Sequence, residues 1–393
     1  METPAQLAVD HLYLLDWGLA QSALMVWALG ALMLSWVMPK YLAAIVMAVK
    51  MAVPVCFFIL FFQPEWQVGG DDQGYFDEAF YFYELGLDPL RIFAHSHPWY
   101  LLNSDPGRAF FFYYLFIGLY FFGGSYYSAV FLNLLISALA TVFLAKAVRD
   151  IDRRKGFSEG FAVFLALHWS VIAWSSFLIL KEPLVTCLMA GVIFGLSGHR
   201  NALRFSRLFV AGACLFLLLW VRYYLPPLIV AGVATALFFS LKKQQKWLAF
   251  ALLPLIMWHG LDELRYFLRL ADWGNAIYGT IHFVLQPLPM RVSEPVEFLL
   301  IPSILHWGVF PFAIVGVFLM LVQGHRISFV IIAMAGVAVV FYGLVPDLAS
   351  TRHRAPIDAL LAVMQYFGIW YLFIESRLRS NCYPNLLSGR DDR

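Results

Sequence analysis

Long apolar runs, separated by short polar stretches, make up most of this chain. Many of the runs approach or reach the roughly 17–25 residues with which a helix crosses a bilayer, and none alternates like a transmembrane strand. The pattern predicts an all-α bundle of about 11–12 spans, with residues 1–393 forming a single integral membrane domain. The runs lie near residues 20–38, 41–62, 126–147, 159–180, 184–198, 208–222, 226–241, 245–258, 302–322, 327–345 and 357–374.

The composition supports this prediction and excludes other classes of protein. Hydrophobic residues make up 62% of the chain and charged residues 13%, whereas soluble domains have roughly 45–50% and about 25%. The formal net charge is only +2, and no basic patch interleaved with aromatic residues indicates nucleic-acid binding. We therefore expect membrane lipids as partners and no nucleic acid.

The distribution of Lys and Arg predicts the orientation of the bundle, because short basic loops stay on the cytoplasmic side. If the short aromatic run 109–123 does not fully cross the membrane, all of the basic loops fall on one side. If it does cross, they can no longer all lie on one side. We favour the interpretation in which it does not cross. The extracytoplasmic face of an inner or plasma membrane then holds two large loops, 63–108 and 259–300. The basic loops lie at 149–155, 199–207, 242–246, 325–326 and 377–379.

The first large loop carries four carboxylates within the stretch 69–79, GGDDQGYFDEA. The segment 74–87 has apolar residues at helical spacing, which predicts an amphipathic helix on the membrane surface. Asp71 and Asp72 stand at its N-terminal end, where the helix dipole favours negative charge, so helix capping is one interpretation. In the other interpretation one of them is a general base at the mouth of a membrane cavity. Both interpretations stay open.

The same loop contains a His-x-His element, formed by His95 and His97. Together with Asp72 these imidazoles are candidate ligands for a divalent metal ion. No third fixed ligand is evident from the spacing, so polar packing at the interface is the default interpretation. No cofactor is predicted firmly.

Cations stand beside span ends on the face where the positive-inside bias should deplete them. Snorkelling or an interfacial aromatic belt explains any one of them. An anionic ligand explains the set better, because the planar donor fork of Arg matches phosphate oxygens. The candidate ligand-binding residues are Tyr75 in the first large loop, Lys181 with Glu182, Arg222 with Tyr223, and Arg352, His353 and Arg354 before the last span.

A carboxylate base and a group of cations at one boundary fit a reaction on a lipid-linked phosphate. The cations would bind the phosphate and stabilise its charge as a leaving group. The carboxylate would accept the proton of an acceptor hydroxyl.

These motifs, in their order along the chain, resemble the GT-C fold membrane glycosyltransferases, which use polyprenyl-phosphate-linked sugars. The resemblance implies Asp71 as the base, with Asp72 as second choice, and a phosphate reached by Arg222, Arg352 or Arg354. It implies a cell-envelope glycan or lipid-linked acceptor, recognised by the loop 259–300. The motifs that carry it are Asp71-Asp72-x-x-Tyr75, the span with Asn133, the segment from Ser175 to Pro183, the corner from Arg222 to Tyr224, and Arg352-x-Arg354-x-Pro356.

Two other functions stay open. A polysaccharide polymerase would have the same features and would join one lipid-linked oligosaccharide to another. A flippase or transporter would carry charged or broken helices near the bilayer midplane. Lys50 is the one conspicuous midspan charge in the sequence, so we favour chemistry at one boundary over transport.

Overall fold

The fold is taken from a computed structural model of the chain. It describes residues 17–60, 70–92, 106–197, 205–240, 265–267, 269–286, 288 and 298–375. Within these ranges every regular element is a helix, so the prediction of an all-α protein is confirmed.

The helices follow the apolar runs of the sequence closely. The last one continues as a π-helix, Trp370–Glu375. In chain order they are α1 (Trp17–Leu34), α2 (Lys40–Leu60), α3 (Gly70–Glu84), α4 (Pro106–Phe122), α5 (Tyr126–Val148), α6 (Lys155–Ala166), α7 (Trp169–Ser176), α8 (Glu182–Leu196), α9 (Phe205–Val221), α10 (Leu225–Ser240), α11 (Ala276–Leu285), α12 (Leu300–Gln323), α13 (Arg326–Leu344) and α14 (Thr351–Ile369).

Five helices of the described chain are long and apolar enough to cross a membrane: α2, α5, α12, α13 and α14 with its π-helical continuation. The pair α6 and α7 makes a sixth if it counts as one span, although its halves are bent by 44°. Five further apolar helices, α1, α4, α8, α9 and α10, are shorter. The total of 11–12 spans stays a prediction, and the run 245–258 lies outside the described residues.

Side-chain contacts define two ends of the bundle. At one end the α8 residue Glu182 meets arginines that precede α10 and begin α14; we call this the Glu182 end. At the other end Asp152, just after α5, meets Tyr371 near the end of the last helix, with 3.1 Å from the tyrosine hydroxyl to the Asp152 Oδ2. We call this the Asp152 end. Helices α5, α8 and α14 connect the two.

Glycines allow several helices to approach each other closely. A Cβ on Gly316 of α12 would overlap the backbone oxygen of Met364 in α14, and a Cβ on Gly368 of α14 would overlap that of Phe312 in α12. Small residues at such crossings let helix backbones come into direct contact, which is the usual means of packing within membranes. The Gly316–Gly368 crossing therefore fixes α14 against α12.

The first large loop and the aromatic run that follows it each contribute one helix to the Glu182 end. The predicted helix 74–87 is present as α3, somewhat earlier in the chain, while its placement on a membrane surface stays a prediction. The aromatic run 109–123 is α4, which packs along the first part of α5: the Tyr114 hydroxyl donates to Asn133 Oδ1 at 2.8 Å. Whether α4 crosses a membrane also stays a prediction.

Candidate functional site

One fully buried carboxylate organises the Glu182 end. Glu182 Oε1 accepts a hydrogen bond from Arg222 Nη2, and a second from Arg352 Nε at 2.8 Å. The three residues come from the start of α8, the corner between α9 and α10, and the first turn of α14. Three segments that are far apart in sequence are thereby joined at one carboxylate.

Local sequence holds this carboxylate in place. Glu182 is the first residue of α8 and Pro183 follows it, as is common where a helix begins, because proline lacks the N–H that would have no acceptor there. The linker that precedes it is held by Asn133 of α5, whose side-chain amide donates to the carbonyls of Leu178 at 3.3 Å and Leu180 at 3.5 Å. The helix dipole of α8 further stabilises a negative charge at this position.

Among the described residues, two guanidinium groups share the one carboxylate of this cluster. Arg222 is 8% exposed, so it is largely sealed behind the protein surface. The side chain of Arg352 is 28% exposed and is therefore the arginine of the pair that solvent or a ligand reaches. Among the described residues, no hydrogen-bond partner reaches Glu182 Oε2 or Arg222 Nε. The arrangement is suited to attracting an anion toward Arg352.

Aromatic side chains pack around Arg222 and His353. Arg222 Nη1 donates to the Tyr224 hydroxyl at 2.7 Å. The rings of Tyr224 and Tyr342 are 6.4 Å apart, and Tyr342 stacks on His353 at 5.6 Å. Ser350 Oγ lies 2.8 Å from His353 Nδ1. These contacts place His353 in the same cluster and limit the movement of Arg222.

The first turn of α3 holds both candidate bases, Asp71 and Asp72, whose side chains lie outside the described part of the structure. Tyr75 follows one turn later, about 5–6 Å along the helix. The Lys181 ammonium lies 5.1 Å from the centre of the Tyr75 ring and 5.6 Å from that of Phe111. The α3 turn that bears the aspartates therefore neighbours the corner that bears Glu182.

A third carboxyl of α3, Asp77, lies partly buried on the same helix. Burial and, to a smaller extent, the neighbouring charge of Glu78 raise the pKa of Asp77 above its usual value. Its Oδ1 atom is buried without a hydrogen-bond partner among the described residues. Asp77 was not among the predicted site residues, and the sequence carries no signal that distinguishes it from its neighbours.

Arg354 belongs to a different group. Its Nε lies 2.8 Å from Asp358 Oδ1, and its Nη1 donates to the Val284 carbonyl at 3.2 Å. Two residues along a helix are about 200° apart around its axis, so Arg352 and Arg354 face different neighbours. The structure thus brings Arg222, Arg352 and His353 to Glu182 but directs Arg354 elsewhere.

The remaining predicted residues can be placed as follows. Tyr223 is 47% exposed, beside Arg222, with its ring 5.7 Å from that of Tyr224. His95 and His97 lie outside the described residues. Within the described ranges, no group of three or more His, Cys, Asp or Glu side chains is suited to hold a metal ion.

Two residues of the site were missed by sequence reasoning for a physical reason. Tyr342 lies inside the apolar run 327–345, where a tyrosine looks like any other core aromatic. Ser350 precedes α14 and looks like an ordinary helix cap. Neither pattern indicates contact with His353.

Comparison with known proteins gives no family for this chain: no protein-family model matches it, and no match was found among curated proteins or solved structures.

Proposed function

We propose that this chain is a membrane glycosyltransferase that moves a sugar from a polyprenyl-phosphate-linked donor to a cell-envelope glycan or lipid-linked acceptor. The observation that supports the proposal is that arginines and the helix turn that bears the candidate bases lie close together at the Glu182 end. Two arginines that contact the same carboxylate lie there, one of them partly exposed, and the Lys181–Tyr75 contact brings the aspartate-bearing turn of α3 beside them. The active site faces the periplasm or the exterior.

Each of the candidate residues would have its own role in the reaction. Arg352, the exposed arginine, would contact a phosphate oxygen of the donor, while Glu182 and Arg222 hold it in position. Asp71 or Asp72 would accept the proton of the acceptor hydroxyl as its oxygen forms a bond to the sugar's anomeric carbon. The bond between that carbon and the phosphate oxygen breaks, and its electron pair leaves with the polyprenyl phosphate. Arg352 would stabilise the charge that develops on this leaving group.

Replacing the aspartates tests this proposal. Purified protein is incubated with a panel of labelled polyprenyl-phosphate sugars and candidate acceptors. We expect Asp71→Asn, or failing that Asp72→Asn, to lower the transfer rate by about 10²–10⁴-fold, the usual contribution of a general base. Asp88→Asn is the matched control, because Asp88 is exposed on the same loop and its carboxylate accepts from the nearby Leu90 N–H, at 2.7 Å. Wild-type rates in both Asp71→Asn and Asp72→Asn would contradict the assignment.

A second candidate, a flippase or transporter of lipid-linked glycans, gains support from one observation. Lys50, in the middle of α2, is fully buried and donates to the carbonyl of Ala166 at 3.4 Å. Ala166 is the last residue of α6, where the α6–α7 pair bends by 44°. A buried charge beside a broken helix is typical of transporter sites. Movement of a labelled lipid-linked sugar between vesicle leaflets, without any acceptor, would favour this function.

A further inference from the structure

A second group of ionisable side chains is buried around the break between α6 and α7. Arg354 and Asp358 form an ion pair on α14 and are 4% and 2% exposed. Ser170, in the first turn of α7, donates its hydroxyl to Asp358 Oδ2. This ion pair therefore lies against the start of α7, and the proposed glycosyl transfer does not use it.

Two buried histidines flank the ion pair. His168, at the break itself, has its Nε2 atom 3.0 Å from Gln365 Oε1. His306 of α12 has its Nε2 atom 3.0 Å from the Val284 carbonyl, the same carbonyl that Arg354 contacts. Both histidines are 2% exposed. Arg354 and Asp358 lie close enough to act electrostatically on the charge of each.

Four polar atoms of this group have no hydrogen-bond partner among the described residues. Arg354 Nε and Asp358 Oδ1 lie 2.8 Å apart in the ion pair, whereas His168 Nδ1 and Gln365 Nε2 have no such contact. Buried polar atoms nearly always have a partner, so such exceptions call for an explanation. In the tautomer that donates Nε2–H to the Gln365 oxygen, His168 Nδ1 carries a lone pair. That atom is then a buried proton acceptor, on a ring whose charge Asp358 influences.

These ionisable residues lie in the interior of a candidate membrane span, where burying a charge costs free energy. At 1.5 Å per residue, Asp358 and Gln365 lie about 10 Å and about 20 Å along α14 from its start at Thr351. Residues Thr351–Glu375 form a candidate membrane span, and the hydrocarbon core of a bilayer is about 30 Å thick. Ionisable groups in the interior of a span are rare and usually mark ion or proton pathways.

Charged groups at both ends of α14 extend this line of polar residues. The Glu182 cluster stands at one end. At the other, Arg154 pairs with Asp152 and with Glu375 at 2.5 Å, and Tyr371 contacts Asp152. The spacings of four residues from Arg354 to Asp358 and of seven from there to Gln365 place the three on one face of the helix.

We propose that His168 and Asp358, with Ser170, Gln365, Arg354 and His306 around them, form a proton-binding site inside the membrane-crossing part of the protein, through which protons cross. The site takes up one proton at His168 Nδ1 and gives an imidazolium, whose charge Asp358 stabilises. The ring keeps its Nε2–H bond to Gln365 throughout. Release of the same proton toward the other end restores the neutral ring, so no oxidant or reductant is required.

The remaining charged neighbour of the site is Lys50, which contacts the α6 side of the break through the Ala166 carbonyl. It is fully buried. A proton held at His168 would be attracted by the carboxylate of Asp358 and repelled by the guanidinium of Arg354. These opposing charges favour passage of the proton over its permanent retention.

Proton flux into sealed vesicles tests the proposal without any sugar donor, so its outcome is independent of glycosyl transfer. The purified full-length protein is reconstituted into phosphatidylethanolamine and phosphatidylglycerol vesicles that contain a pH-sensitive dye. Valinomycin and a potassium gradient impose a membrane potential. We expect wild-type vesicles to change internal pH several-fold faster than protein-free vesicles.

Two conservative variants assign that flux to the site. His168→Gln keeps a side-chain hydrogen bond to Gln365 but holds no exchangeable imidazole proton, and Asp358→Asn keeps the shape of the carboxylate. Both should reduce the flux to the protein-free rate, and if one fails to fold, the other decides. His325→Gln, which changes a histidine at the start of α13 away from the site, should keep the wild-type rate. A wild-type flux equal to that of empty vesicles, or a full flux in the folded variants, would overturn the proposal.

Discussion

At the scale of single residues, the charge balance around Glu182 affects the stability of the fold, independently of the proposed ligand. Its buried carboxylate is the acceptor for both Arg222 and Arg352. Removing one partner of a buried ion pair leaves the other charge uncompensated, which typically costs about 3–5 kcal/mol. We expect Glu182→Ala to lower the free energy of unfolding by about this amount, measured by denaturant titration in detergent.

A double variant separates this charge effect from simple loss of packing. Replacing Glu182 and Arg222 together by methionine removes both buried charges and keeps apolar volume, and such replacements are often neutral or stabilising. The double variant should therefore be more stable than Glu182→Ala. Glu84→Ala, at an exposed position of α3, should change stability by no more than about 0.5 kcal/mol. Equal destabilisation of the single and double variants would contradict the role of the ion pair.

Asp77 gives a prediction about pH. Because burial and then Glu78 raise its pKa in the folded protein, ionised Asp77 destabilises the folded state, and the wild type gains stability as pH falls through that pKa. Asp77→Asn removes the penalty. The variant should have a higher Tm than wild type at neutral pH, and this advantage should shrink on acidification and vanish once both states are protonated. A difference in Tm that is independent of pH would refute this assignment.

Sequence reasoning succeeded for some of these residues and failed for others. It identified Glu182, Arg222, Arg352 and His353 as candidates because charged side chains beside apolar runs are conspicuous. It placed Arg354 with them, since adjacent arginines in a motif look equivalent. Arg352 pairs with Glu182 and Arg354 with Asp358, because different residues surround the two faces of α14. Tertiary packing determines these surroundings, and the local sequence does not reveal them.

At the scale of elements, the apolar runs predicted the helices to within a few residues but not the break in the run 159–180. No proline or glycine lies between Val163 and Ser170, so local sequence contains no helix-breaking signal there. Contacts from other helices accompany the break: Lys50 occupies the Ala166 carbonyl, and Gln365 and Asp358 hold the first residues beyond it. A pattern along one segment cannot reveal such contacts.

The close crossing of α12 and α14 depends on glycine. A Cβ on Gly316 would overlap the Met364 carbonyl oxygen, whereas one on Gly308 of the same helix meets no atom within 4 Å. Gly316→Ala should therefore reduce stability by about 1–3 kcal/mol through overpacking. Gly308→Ala should be neutral or slightly stabilising, because alanine has the higher helix propensity. Thermal unfolding of both variants in detergent measures the contrast, and equal Tm values would argue against a tight crossing.

At the scale of the whole molecule, the contacts define two ends of the bundle, and one of the basic loops can be assigned to one of them. The loop 149–155 lies at the Asp152 end, and its Arg154 reaches Glu375 at the end of the last helix. The cluster of Glu182 with Arg222 and Arg352 lies at the opposite end. The positive-inside rule then predicts a cytoplasmic Asp152 end and an extracytoplasmic Glu182 end.

Cysteine labelling tests this orientation, and the structure determines where the label should go. Arg354 is only 4% exposed and is therefore unsuitable, whereas Tyr223 is 47% exposed beside Arg222, and Arg149 is exposed at the opposite end. In a background without native cysteines, Tyr223→Cys should react with an impermeant maleimide in intact cells, and Arg149→Cys only after lysis. The reverse pattern would place the Glu182 cluster in the cytoplasm, where an extracytoplasmic lipid-linked donor does not reach it.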